Sequence, residues 1–303
     1  MKNKLYFDAF KVALLIAAIA VLGRFGDGAI AGVLLLYGSW AALTRRRGIV
    51  LSCFMLFPIL LTLNPIVFPM AQEGMIINRI STMLISLIMV LCAAKEKGRN
   101  QLPLGAIAPY LLVATISSIQ GYFPEISYMK MLNFIVFLLG IWIGTRNIQN
   151  SANELLILRT FLMGIVIFII LGSLLILLIA PGAAYFQSVK SAINEGGVEF
   201  ASQVLAYQGT VLLSGITNQS QCLGPTLAAL NLWVVCDMLL IERRFAKVHV
   251  VLFVVGVVLM YLTRSRTSLI AFLAGAILLI AFAIKHTPMT LAFRKKVRGM
   301  VQL

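Results

Sequence analysis

Residues 155–180 read LLILRTFLMGIVIFIILGSLLILLIA, with Arg159 as the one charge. The run passes the ~18 apolar residues that mark a membrane-spanning helix. At about 1.5 Å per residue it crosses the ~30 Å of hydrocarbon in a bilayer. Lipid offers no partner to a backbone N–H or C=O, so the segment must close its own hydrogen bonds, and a helix does so. Working outward, similar runs occupy 6–23, 29–43, 49–68, 75–94, 102–120 and 127–145 on one side. On the other side lie 216–241, 248–263 and 267–284. The fold class expected is all-α: a polytopic integral membrane helix bundle of about ten transmembrane helices. Residues 1–303 read as a single transmembrane domain. The strict alternation of a membrane β-barrel is missing.

Composition agrees. The chain is 61% hydrophobic and 12% charged, whereas soluble domains run nearer half apolar and about a quarter charged. The net charge of +15 would point to nucleic acid in a soluble protein. Here it has a simpler source, basic loops that hold the cytoplasmic side; no basic stripe interleaved with aromatics is present. The start, MKNKLYFDAFKVALLIAAIAVLG, has a basic head but no small-residue cleavage site, so it reads as the first helix rather than a removed signal. Cys53, Cys92, Cys222 and Cys236 fall in or beside apolar runs, with no metal spacing, and read as small buried residues.

Lys and Arg in the short loops set the orientation. With the N-terminus inside, the cytoplasmic segments are 1–5, TRRRG (44–48), KEKGRN (95–100), TRNIQNSANE (145–154), ERRFAK (242–247) and the tail from Lys285. These hold most of the basic residues, and both termini fall in the cytoplasm. The outer side keeps Arg24, Arg79, Lys130, Lys190, Arg264 and Arg266. The long outer, periplasmic loop is 181–215, too polar to span.

Arg264 and Arg266 therefore stand on the outer face against the topological rule. A charge near the membrane centre costs roughly 2.5–3.5 kcal/mol on insertion scales, less near the interface. Snorkelling to headgroups explains them without function. An outer-face anion explains them with one. The helices 216–241 and 267–284 both begin outside, and a helix N-terminus offers free N–H groups and partial positive charge. The first opens with Ser214, Gly215, Thr217, Asn218, Gln219, Ser220 and Gln221; the second is flanked by Arg264 and Arg266, with Ser265 or Thr267 as cap. Arg79 and Lys130 lie in the first turns of two further helices that start outside. Guanidinium forks match phosphate oxygens. The expectation is an outer pocket for a phosphate or pyrophosphate; ordinary capping is the plainer reading of 217–221.

Catalytic motifs are sparse. His249 and His286 fall on the cytoplasmic side, where interfacial anchoring or lipid contact is the simplest reading. Asp27, Glu73, Glu125, Glu195 and Glu199 are the outer carboxylates, and no pair has a spacing that marks acid/base work. There is no P-loop and no Ser/His/Asp arrangement. No cofactor or metal is expected.

The segment GITNQSQCLGPTLAAL (215–230), then a helix, a basic turn and LTRSRTSLIAFLAGAILL (262–279), resembles the O-antigen ligase and O-antigen polymerase-like membrane family. The resemblance covers 213–279. It implies a glycosyltransferase of the bacterial inner (plasma) membrane that handles glycans on undecaprenyl diphosphate at the outer face, in lipopolysaccharide and surface polysaccharide biosynthesis. The acceptor, lipid A core or another glycan, attacks the anomeric carbon, and lipid diphosphate leaves. Arg266 matches the family's Ser-Arg position and, with Arg264, is the expected catalytic clamp on the leaving diphosphate. Asn218, Gln219, Gln221, Arg79 and Lys130 are the expected lipid-diphosphate contacts. Two departures stand out. The family's Arg before the Gly is replaced here by Gly209–Leu213. The family also continues into a large outer loop with a functional His and further helices, whereas this sequence ends in KHTPMTLAFRKKVRGMVQL. The expectation is a chain lacking that C-terminal part, or one that works with a protein partner supplying it. Two other readings remain. One is a transporter or flippase of an anionic or lipid-linked substrate, for which Pro58, Asn64 and Pro65 mark a possible helix break. The other is a non-catalytic, truncated membrane protein.

Overall fold

A computed structural model describes residues 2–22, 27–44, 46–61, 63–64, 152–185, 212–217, 220–242 and 245–286, with isolated helical residues at Leu84, Leu112, Thr115, Ile116 and Ile135. The helices are α1 (Lys2–Leu22), α2 (Asp27–Leu43), α3 (Arg47–Leu61), α4 (Ala152–Ile179), the single turn α5 (Pro181–Ala184), α6 (Ser220–Cys236) continuing into a π-helical turn (Asp237–Ile241), α7 (Lys247–Leu262) and α8 (Arg266–His286). No strand occurs among the described residues; Leu63 and Thr217 form an isolated antiparallel bridge. The expected spans 75–94, 102–120 and 127–145 lie outside the described residues, apart from those isolated positions.

Among the described residues, four stretches are long and apolar enough to cross a membrane: Lys4–Leu22, Ala152–Ile179, Cys222–Ile241 and Arg266–Ile284. The opening stretch belongs to α4, whose 28 residues reach about 42 Å. Every residue from Met163 through Ile170 is buried, as expected of a helix apolar on all faces. Pro181 ends it. A residue before proline is pushed out of the helical region, and Ala180 sits at φ −137°, ψ 68°.

The chain divides into two compact units. One holds Ile19–Leu61 and Met70–Phe161. In it α2 packs on α3, and Glu154 Oε2 accepts the Gly48 N–H at 2.7 Å, which brings together the two helix starts assigned to one side of the membrane. The other unit holds Met1–Ala18, Thr62–Pro69 and Leu162–Leu303. Here α6 packs on both α7 and α8, and α8 leaves Ile270, Ile277 and Leu278 exposed. Wide apolar exposure is costly in water and natural in hydrocarbon.

Two expected helices are shorter than the sequence reading. The span 49–68 stops at Leu61; Leu63 bridges to Thr217 and Asn64 N–H donates to Ile216 O, outside any helix, consistent with the bias of a residue before proline away from the helical region. The span 216–241 begins only at Ser220, because Gly215 adopts φ 56° and Thr217 bridges to Leu63. Both breaks feed the same buried knot, described next.

Candidate functional site: a cationic cleft on a buried knot

The knot joins residues 63–64, the end of α4, α5 and residues 213–217. Asn64, Ser173, Ser214 and Thr217 are each fully buried. Asn64 Nδ2 donates to Ala183 O at 2.8 Å and Gly215 O at 3.3 Å, while its backbone N–H donates to Ile216 O at 2.8 Å. Ala184 O accepts three times: from Ser214 N–H at 2.9 Å and Gly215 N–H at 2.8 Å, and from Ser214 Oγ at 2.8 Å. Ser173 Oγ accepts the Ile216 N–H at 3.2 Å, and Thr217 Oγ1 donates to Ser214 O at 2.8 Å. Irregular backbone away from water needs such closure. Gly215 is required here twice over. Its φ is positive, and a Cβ would lie 2.6 Å from Ser173 Oγ. The knot fixes Ala184 against Ser214, so Tyr185 and Leu212 leave it at set positions.

Both of those residues border clefts that share Arg264, Ser265 and Arg266. One cleft, of ≈ 580 Å³, is lined by Tyr185, Tyr261 and the two arginines, over Met260 and Leu269. The other, of ≈ 730 Å³, runs between α6 and α8, with Leu212, Pro225, Ala228, Leu232 and Ala271 as its apolar wall. Among the described residues, no Asp or Glu lines either cleft, and neither guanidinium forms an ion pair.

The turn between α7 and α8 shows why the arginines stand where they do. Thr263 caps the C-terminus of α7, and its Oγ1 donates to Met260 O at 2.7 Å. Arg264 follows at φ 54°, the one non-glycine residue with positive φ among the described residues. This is the left-handed position after a helix end, where glycine is the usual choice; an L side chain there costs about 1–2 kcal/mol. Ser265 precedes the first turn of α8, its carbonyl accepting the Leu269 N–H at 3.1 Å, and its Oγ lies 2.7 Å from Ser268 Oγ. So Ser265, not Thr267, holds the cap position. Arg266 is the first residue of α8, where the helix dipole is positive. Both arginines are solvent-accessible at the described surface. Gly224 allows this approach: a Cβ on it would stand 2.7 Å from Ser265 Cβ.

Of the residues singled out from sequence, Arg264 and Arg266 come together here. Gln221 lies in the first turn of α6, with its side chain outside the described residues. Asn218, Gln219, Arg79 and Lys130 lie outside the described residues altogether, as do the side chains of the five outer carboxylates and of His286. Ser214 and Thr217, read as donors for an anion, turn their hydroxyls into the knot instead. Tyr185 and Tyr261 were missed; no sequence signal singles out one tyrosine beside an apolar run. His249 is corrected outright. It is not an interfacial side chain, since it is fully buried and bonds to Asp237 and Tyr6. Its sequence neighbours, Lys247 and Val248, gave no hint of a partner 12 residues upstream.

Comparison with family models, with characterised proteins and with solved structures finds no match to this chain.

Proposed function

We propose that this protein is a polytopic enzyme of the bacterial inner membrane, with about ten spans and both termini in the cytoplasm. It transfers, by ligation or polymerisation, a surface glycan carried on undecaprenyl diphosphate at the outer face. The observation that carries the reading is Arg264, a cation held in a strained left-handed conformation beside Arg266 at the positive end of α8. Two like charges and a helix dipole repel one another until an anion arrives. Strain kept at one residue, where glycine would relieve it, points to a role for its side chain.

The two clefts divide the substrate's chemistry. The apolar wall between α6 and α8 suits a prenyl tail. The arginines suit the diphosphate, which they bind bidentately and stabilise as it departs. Tyr185 and Tyr261 offer ring faces to a sugar. No step needs a nucleotide or a metal: the acceptor hydroxyl forms its bond to the anomeric carbon as the bond to diphosphate breaks, and the hydroxyl proton leaves to a base. Asn218, Gln219, Gln221, Arg79 and Lys130 remain the further contacts proposed for the diphosphate, and a protein partner remains the proposed source of the acceptor side.

The test is glycan transfer by Arg266→Ala in membranes where the variant inserts and accumulates normally. Loss of surface polysaccharide supports the proposal, and wild-type polysaccharide sinks it. A transporter is the second reading, favoured by the break after Leu61 and by buried Asn64, a pattern common in transporters. Uptake of an anionic or lipid-linked substrate that fails in Asn64→Ala, with glycan transfer intact, would select it.

A further inference from the structure

A second polar cluster lies at the other end of α6 and α7. His249 Nε2 is 2.6 Å from Asp237 Oδ2, and His249 Nδ1 is 2.9 Å from Tyr6 Oη. The side chains of His249 and Asp237 are 0% exposed, whereas Tyr6 is half-buried and reaches the surface. The Tyr6 ring meets the imidazole edge-on, with centroids 5.6 Å apart. Asp237 opens the π-helical turn, where Glu242 N–H reaches back to Asp237 O at 2.8 Å. A π turn inserts one residue into the helical register and often accompanies a functional group. Asp237 also lies inside the candidate span Cys222–Ile241. Ionisable groups within spans are costly, and where they persist they serve ion paths or proton relays by default.

We infer that Tyr6, His249 and Asp237 form a proton-exchange site, with Tyr6 as its entry and the Asp237 carboxylate as its terminus. The inference is independent of the glycan-transfer reading. An imidazole with one partner on each nitrogen takes a proton at one and releases a proton from the other. In the step proposed, a hydronium ion of the acidified solvent delivers a proton to the Tyr6 oxygen and is left as water, while the phenolic proton passes to His249 Nδ1. The Nε2 proton then passes to Asp237 Oδ2. The phenol is restored, the ring is neutral in its other tautomer, and one carboxylate has become a carboxylic acid. Neither heavy-atom distance needs to change.

Among the described residues, the other titratable groups on the packed elements are Lys2, Lys4, Asp8 and Lys11 on α1, with Lys11 paired to Asp8 at 3.8 Å, Cys222 and Cys236 on α6, Glu242 just past the π turn, and Lys247 and Tyr261 on α7. The charges of α8 stand at its two ends, Arg266 at the far one and Lys285 and His286 at the near one. Tyr6 and Asp237 are the two groups bonded to the ring.

The experiment is infrared difference spectroscopy on the full chain in lipid nanodiscs, following a jump from alkaline to acidic buffer. The wild type should gain a carboxylic C=O band and lose a carboxylate band. Asp237→Asn should lose that pair of bands, which assigns them. Tyr6→Phe keeps the ring and its edge contact and removes only the hydroxyl, so it should fold, keep both bands and acquire them more slowly. Should Asp237→Asn fail to accumulate, isotope-edited aspartate in an Asp8→Asn, Asp27→Asn background, where Asp237 is the one aspartate left, assigns the band instead. A wild type with no aspartic C=O change overturns the inference, and so does a Tyr6→Phe variant that responds as fast as the wild type.

Discussion

Replacing Arg264 by glycine should separate stability from function in a way that few substitutions do. The residue stands at φ 54° directly after the Thr263 cap of α7. An L residue there carries about 1–2 kcal/mol of strain. Glycine relieves it, and gives back about 0.5–1 kcal/mol through its freer unfolded chain. Arg264→Gly is therefore expected to be more stable than wild type by about 0.5–1 kcal/mol. Arg264→Ala keeps a Cβ and hence the strain, and should fall about 1 kcal/mol below the glycine variant. Both lose the guanidinium and should bind a diphosphate lipid more weakly by about 1.5–3 kcal/mol, roughly ten- to a hundredfold. Reversible denaturation in mixed micelles measures the first quantity, and titration of the purified protein with a prenyl diphosphate measures the second. Two results would refute the reasoning. Arg264→Gly less stable than wild type would mean that the arginine side chain supports the fold; undiminished binding in that variant would mean that the strain serves something other than the anion.

Arg266→Ala should weaken the same lipid by a similar factor, while Arg266→Lys recovers only part, because an ammonium cannot make the paired contact of a guanidinium; titration with the prenyl diphosphate reads both. Asn64→Ala leaves the Ala183 and Gly215 carbonyls short of a buried donor and should cost about 2–4 kcal/mol in the same denaturation assay. Gly224→Leu, pressed against Ser265, should block the groove between α6 and α8 and reduce prenyl diphosphate binding more than that of inorganic pyrophosphate. Gly215→Ala should cost at least about 1–2 kcal/mol from its positive φ alone, with its contact to Ser173 Oγ added.

The hydrophobic runs and the loop charges carried most of what the described fold contains. They place α1, α2, α4, α7 and α8 within a few residues, because a long apolar run in lipid has one way to close its backbone bonds. The loop charges did not say which helix ends meet: Gly48 finds Glu154, and Leu213 N–H finds Leu262 O at 3.4 Å. What the runs left open is the residue at which each helix stops. Asn64 and Pro65 mark a possible break, and Ser214, Gly215 and Thr217 a polar opening, but neither pattern says that the two segments close on each other. Hydropathy averages over a window and does not register a single residue that leaves the helix. The Tyr6–His249–Asp237 cluster was hidden for another reason. Its members come from three helices, and pairing at that sequence distance depends on packing that periodicity does not encode.

The knot also ranks the candidate residues. The sequence puts Arg266 first with Arg264 beside it, and the polar run after Ser214 as support that ordinary capping explains as well. Donor accounting separates them. Ser214 Oγ gives its proton to Ala184 O, Thr217 Oγ1 gives its own to Ser214 O, and the Gly215 and Ile216 N–H groups are taken by Ala184 O and Ser173 Oγ. A buried donor with an intramolecular acceptor must break that bond before it serves a ligand, at roughly 0.5–1.5 kcal/mol each. The Arg264 and Arg266 side chains carry no such commitment among the described residues. Their forks face two clefts of opposite character, one apolar and one aromatic. An amphiphile with phosphate at its junction would fill both with a single anion, so under the proposed function the turn Thr263–Arg266, rather than the hydroxyls of Ser214 and Thr217, is the place to mutate.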